Sequence, residues 1–234
     1  MDRLTRKELK SDPLAVELQH SVEFVTGHRQ QLVRYGAAAL VVIVLGAAFY
    51  FYRQNQTETR RELLSKAIQI SQTSVGPAVT PDAPSYATQQ AKEEAETKAF
   101  TEITAKYSGT DEGTVAEFYL ASMAADAGKL DEAERRYRAI VDDGTGAYVS
   151  LGKLALAKVY ASQGKTADAE KLIRSVIDKP TLLVSKEAAT VALARVLAPA
   201  KPKEALALLA PLRASERTAI SKTAIDAITD LKLQ

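Results

Sequence analysis

The sequence predicts an all-α protein: one apolar helix near the amino terminus, then a stack of antiparallel helix pairs. Three observations carry this reading. Residues 35–52 hold no charge or strong polar group, apolar residues elsewhere recur at helical spacing, and one segment pattern returns every 36 residues. The 234 residues contain 46% apolar and 26% charged residues, the balance of a chain able to bury a core rather than a disordered one. The absence of Cys excludes disulfide scaffolds and thiol catalysis. A net charge of +2 argues against a dedicated nucleic-acid binder, which gathers a basic excess on one face.

Residues 1–34 form a tail. Its opening, MDRLTRKELKSD, is too charged to bury much. Beyond it Leu14, Leu18, Val22, Val25 and Leu32 fall at spacings of three, four and seven, an amphipathic helix with Asp12 as N-cap and Pro13 in its first turn. That helix either lies on a membrane surface or against a partner, or is a lead-in with no partner, and the spacing fits both readings. His20 and His28 make no i,i+4 metal pair and have no Cys nearby, so they read as surface residues.

Residues 35–52, YGAAALVVIVLGAAFYFY, predict a transmembrane helix. Eighteen residues rise about 27 Å, close to the roughly 30 Å hydrocarbon core of a bilayer. Tyr35 at one edge and Phe49, Tyr50, Phe51 and Tyr52 at the other suit the headgroup interfaces. A soluble core helix would show a polar face. The long preceding tail, and aromatic residues where a small-x-small cleavage site would stand, favour a retained anchor over a cleaved signal. Charge counting leaves the orientation open: Arg29 and Arg34 precede the span, Arg53, Arg60, Arg61 and Lys66 follow it, and the whole tail adds Arg3, Arg6, Lys7 and Lys10.

Residues 53–113 read as a helical linker and a degenerate first repeat. A helix over 54–73 continues outward from the span through Leu63, Leu64, Ala67, Ile68 and Ile70, and one over 86–107 partners it through Ala95, Ala99, Phe100, Ile103 and Tyr107. Between them the three prolines of SVGPAVTPDAPS mark a loop over 74–85.

Residues 114–234 carry the repeat. Gly128-Lys129-Leu130-Asp131-Glu132-Ala133 returns as Gly164-Lys165-Thr166-Ala167-Asp168-Ala169, and then as Ala200-Lys201-Pro202-Lys203-Glu204-Ala205. Glycine permits the turn between two helices, the acidic residue complements the next helix dipole, and the Ala lets antiparallel helices approach. Upstream, Leu120, Ala121 and Ala124 recur as Leu156, Ala157 and Tyr160, then Ala192, Leu193 and Val196; downstream, Tyr137 and Ile140 recur as Ile173 and Val176, then Leu209 and Leu212. Helix pairs are expected at 114–127 with 130–142, 147–163 with 166–178 and 184–198 with 202–213, closed by a capping helix near 215–232.

These residues resemble the tetratricopeptide repeat, whose small residues, turn glycine and paired large residues are matched by Ala121, Gly128, Ala133 and Tyr137, and by Ala157, Tyr160, Gly164, Ala169 and Ile173. The resemblance implies a right-handed α-solenoid. It departs in period, 36 rather than 34, and the third unit lacks the glycine and carries Pro199 and Pro202 at its turn.

The chain reads as non-enzymatic, with no catalytic, cofactor-binding or metal residues to nominate. It contains no phosphate loop, Rossmann glycine triplet, metal cluster or nucleophile set, and residues 53–234 lack His altogether. Gly144-Thr145-Gly146 is a loop without the continuation a phosphate cradle needs, and Glu93, Glu94 and Glu96 beside Lys92 and Lys98 read as a solvated helix face. The repeat register points Val115, Phe118, Ser122 and Ala125, then Leu151, Leu154, Lys158 and Ala161, then Glu187, Thr190, Ala194 and Leu197 into one groove lined by the first helices. A basic clamp on a terminal carboxylate, as in some tetratricopeptide co-chaperones, needs several Lys, Arg and Asn here and Lys158 stands alone, so the groove reads as apolar and suits a hydrophobic segment or helix rather than an acidic tail; equally, those residues serve to pack the superhelix.

The order of tail, single span, helical linker, degenerate repeat and three helix pairs resembles the ancillary subunit family of the bacterial SecYEG translocon, chiefly through Ala133, Ala169, Ala205 and the helix spacing. The resemblance implies a single-pass inner-membrane protein, amino terminus cytoplasmic and repeats periplasmic, that brings translocon subunits, periplasmic chaperones or nascent secreted chains together, with homo-oligomers also allowed. The alternative is a scaffold for cell-envelope assembly or division that self-associates through its repeats.

Overall fold

The computed structural model describes residues 29–77 and 84–232. The helix expected from Leu14 onward, His20, His28 and the centre of the 74–85 segment lie outside them. The chain forms two compact units, Met1–Glu58 and Thr59–Gln234. Among the described residues it is all-α apart from one short strand pair.

Helix α1 spans Arg29–Gln72 without interruption, so no boundary falls at either end of the apolar segment. No Pro occurs between 14 and 76 to break it, and Gly36 and Gly46 meet no neighbouring atoms. In the amino-terminal unit the apolar side chains are bare: Leu40 is 63% exposed and Val42 and Ile43 each 69%. By length and composition this is a helix able to cross a membrane, with a mean hydropathy of 1.9 over its most apolar window. At its edge the Arg53 guanidinium sits 5.9 Å from the Phe49 ring centroid.

In the second unit, Ser74–Val75 (β1) and Ser85–Tyr86 (β2) pair in parallel, with Ser74 opposite Ser85 and Val75 opposite Tyr86, where the sequence suggested only a loop. The Gly76 N–H, at φ +103°, donates to the Tyr86 carbonyl at 2.9 Å. This closure satisfies backbone groups at the mouth of the long link.

Among the described residues eight α-helices follow β2: α2 (Gln89–Tyr107), α3 (Asp111–Asp126), α4 (Leu130–Asp143), α5 (Tyr148–Ser162), α6 (Thr166–Asp178), α7 (Lys186–Leu197), α8 (Pro202–Leu209) and α9 (Thr218–Lys232), with a 3₁₀ turn over Ala210–Ala214. Local chemistry sets their starts. Thr88, Thr110 and Ser185 cap α2, α3 and α7 by accepting from the N–H groups of Ala91, Gly113 and Ala188. Pro202 opens α8, where its missing N–H costs nothing.

Each helix from α2 to α8 packs on the next, and α3 meets α5 and α5 meets α7. The 36-residue period reappears as a periodic core. Ala133, Ala169 and Ala205 are fully buried, and Tyr137, Ile173 and Leu209 are at most 4% exposed. These residues form one continuous cluster from Ala121 to Ala227, while Ala67, Phe100, Ile103, Ala116 and Leu120 form a second. Phe100 stacks on Tyr119 with ring centroids 4.7 Å apart.

The first two turns are built identically. After α3 the Gly128 N–H donates to the Ala125 carbonyl at 3.0 Å and the Lys129 N–H to Ala124 at 2.9 Å; after α5, Gly164 donates to Ala161 at 3.0 Å and Lys165 to Tyr160 at 2.8 Å. This is the Schellman pattern, which needs a left-handed residue, and the glycines sit at φ +72° and +77°. The third turn has Ala200 instead. No residue other than Gly takes positive φ among the described residues, so α7 stops at Leu197 and the Lys201 N–H reaches the Leu197 carbonyl at 2.7 Å. Gly128→Val and Gly164→Val should therefore each destabilise the repeats by about 1–2 kcal/mol, the cost of forcing an L-residue left-handed. Ala200→Val should shift the urea midpoint by far less, and equal losses at all three positions would contradict this account.

Candidate interaction cleft

The carboxyl-terminal repeats contain a cleft of about 800 Å³ between α5 and α7, with Ile220 and Thr223 of α9 on its flank. Leu154, Ala155 and Ala161 of α5 and Val191, Ala192 and Val196 of α7 give it apolar walls. Small side chains make the space: where α5 buries Leu156 and Tyr160, α7 places Ala192 and Val196, only half-buried, at the corresponding repeat positions. Lys158 and Arg195 are exposed at its edge, and no carboxylate is among the residues lining it.

The residues that the repeat register assigned to one groove divide among several settings. Leu154, Lys158 and Ala161 line the cleft. Val115 instead faces a second hollow of about 660 Å³ beside Leu64 and Ile68 of α1. Phe118 is half-buried, its ring edge-on to Tyr137 and Tyr148 with centroids 5.7 and 5.4 Å away. Ser122 hydrogen-bonds the Tyr137 hydroxyl at 2.9 Å. Ala125 and Leu151 pack half-buried on the core cluster. Glu187 meets Arg217 at 3.5 Å, and the Thr190 hydroxyl donates back to the Lys186 carbonyl at 2.8 Å.

Ala194 and Leu197 are a correction. Both are fully buried and belong to the same cluster as Ala224 and Ala227 of α9. The buried stripe of α7 is displaced by about one residue from that of α5, so Ala188, Val191, Ala192 and Arg195 turn to the cleft. Two features account for the displacement. The link into α7, residues 179–185, is longer than the link into α5, residues 144–147, and α9 packs on α7 and α8 in place of a further repeat.

Adjacent repeats are also joined by polar groups that follow the period. Glu134 accepts from Arg138 at 2.7 Å and from Lys165 at 2.9 Å; 36 residues on, Glu170 meets Arg174 at 2.7 Å and Lys201 at 3.5 Å. Lys165 and Lys201, each just after its turn, thus tie their helix pairs to the pair before. Lys165 also lies 5.2 Å from the Tyr160 ring centroid, and Arg138 donates to the Tyr160 hydroxyl at 2.7 Å. The links repeat in the same way: the Thr145 N–H donates to the Thr114 hydroxyl at 2.9 Å, and the Ser150 and Thr181 hydroxyls pair at 2.7 Å.

The Lys165 hydrogen bond holds the Glu134 carboxyl below the usual carboxylate range, and Arg174 does the same for Glu170 with help from Lys201. A carboxyl whose folded pKa is depressed adds stability that is complete above its unfolded pKa and lost as pH falls through the folded one. The urea midpoint should hold steady from neutral pH and then drop below about pH 4.5. Glu134→Gln with Glu170→Gln should lose about 1 kcal/mol at pH 7, given partly exposed pairs, and show a shallower acid drop. Parallel pH profiles for the two proteins would refute the assignment.

Among the described residues no group of three or more His, Cys, Asp or Glu is placed to hold a metal ion. No family model, curated protein or solved structure matches the chain.

Proposed function

We propose that this chain is a non-enzymatic, membrane-anchored protein interaction module whose carboxyl-terminal unit is a tetratricopeptide-like right-handed solenoid of antiparallel helix pairs. The observation that carries the reading is the 36-residue recurrence of one assembly: the Gly128 and Gly164 turns, the Ala133, Ala169 and Ala205 contacts, and the Glu134–Lys165 and Glu170–Lys201 ties. A stack that buries itself only against its neighbours serves as an extended binding surface. The bare apolar stretch of α1 supports anchoring, since a row of Leu, Val and Ile each more than half exposed is unfavourable in water.

The resemblance to the ancillary translocon subunit directs the search for partners: Sec translocon subunits, periplasmic chaperones and emerging secreted chains, with the repeats periplasmic and the amino terminus cytoplasmic. Photo-crosslinking in intact membranes from Leu154 and Val191 should capture one of these, and protease treatment of spheroplasts should remove the repeats. Capture of none of the three, or protection of the repeats, would overturn the assignment. The second reading, an envelope scaffold that self-associates, draws on Leu182, 96% exposed, beside the exposed Leu183 in the link before α7. Crosslinks from Leu182 to a second copy of the chain would favour it.

A further inference from the structure

We infer that the cleft between α5 and α7 takes a short apolar peptide segment carrying a carboxylate, held through its apolar side chains on the cleft walls and through its charge at Lys158 and Arg195. This names the partner chemistry of the surface proposed above and rests on that reading. The walls supply the first half of the argument. Leu154, Val191 and Val196 with the small Ala155 and Ala192 leave about 800 Å³ open, within the range of clefts that hold compact ligands. The rim supplies the second half. Lys158 and Arg195 come from two different helices onto one cleft, and among the described residues neither makes an ion pair or a side-chain hydrogen bond. Two carboxylates on the helices of these repeats are engaged with other cations: Glu170 with Arg174 and Lys201, Glu187 with Arg217.

Two unpaired cations over an apolar floor, with no acid lining the cleft, are complementary to a segment that is apolar on one side and negative at one position. An uncharged segment would leave the cations without a role in recognition, and a basic one would be repelled.

The test uses the full chain in lipid nanodiscs and an array of immobilised decapeptides built from Leu, Ala and Ser, each with a central Glu, Gln or Lys. Retention on Glu peptides should exceed that on Gln peptides by about threefold, with Lys peptides lowest, and the preference should fade in high salt. Lys158→Glu with Arg195→Glu should reverse the order, and Ala192→Phe, which fills the cleft floor, should abolish retention on all three. Both cations are exposed, so unchanged circular dichroism will separate lost binding from lost fold. No charge preference, or a preference that survives the double reversal, would overturn the inference. So would dimers that vanish in the double variant without any peptide retention, since a second copy would then be the occupant. Each of these outcomes leaves capture by the translocon or chaperones to be decided separately by the membrane crosslinking.

Discussion

Ile173→Ala should lower the stability of the repeat unit by about 2–5 kcal/mol, the range for truncating a fully buried aliphatic side chain. Ile173 is 1% exposed, lies in the middle helix pair, and occupies the repeat position held by Tyr137 before it and Leu209 after it. Fully buried Ala157, Ala169 and Ala189 belong to the same cluster, and small residues packed this closely have no longer side chain to swing inward. Leu212→Ala is the control. It falls at the third-unit equivalent of Ile140 and Val176 but is only half-buried within the 3₁₀ turn, so its loss should be well below that of Ile173. Urea unfolding of the full chain in detergent micelles, followed by circular dichroism, reads both. A loss under 1 kcal/mol for Ile173→Ala would mean that the middle repeat is not the centre of the core.

The parts of this fold legible in the sequence are those where a residue type has a single physical use. Glycine at 128 and 164 is one case: the turn needs positive φ, and the glycines mark it with no reference to the rest of the fold. Ala133, Ala169 and Ala205 are another, because close helix contact requires a small side chain at a fixed spacing. Charged residues were harder to assign, since Glu134 and Lys165 have many possible partners and their link crosses from one helix pair to the next. The signal existed all the same: Glu134, Arg138 and Lys165 recur 36 residues later as Glu170, Arg174 and Lys201, and a period shared by all three is a reason to expect contact.

The cleft was only partly legible, and the physical cause lies in α7. Extrapolating the register of α3 and α5 assumes that every first helix presents the same face. That assumption fails where the link before a helix changes length and its outer neighbour is a capping helix, as α9 is for α7. Ala194 and Leu197 then turn inward, and Arg195, which the register hides, turns out to stand with Lys158. The same rotation that opens the apolar walls therefore also supplies the second cation. A terminal repeat has a neighbour on one side only, so its face can change without disturbing a pair beyond it.

The anchor gives the other large effect. Val41→Arg with Val44→Arg should remove the chain from membranes, because each arginine near the centre of a span costs about 2.5–3.5 kcal/mol on insertion and forfeits the few tenths that Val contributes. Together the pair costs about 6 kcal/mol or more. Val41 and Val44 are 53% and 56% exposed in the middle of the apolar stretch, with no acidic partner within the span and no packing against other elements to lose. Tyr52→Arg at the edge should do little, because it adds a charge beside Arg53 where a long side chain reaches the headgroups. Carbonate extraction of membranes from expressing cells separates the outcomes. The unaltered chain and the Tyr52 variant should stay in the pellet, and the double-arginine variant should move to the supernatant or be degraded. Retention of all three in the pellet would mean that something other than 35–52 holds the chain to the membrane, whereas release of all three would mean that α1 is exposed for a partner protein rather than for lipid.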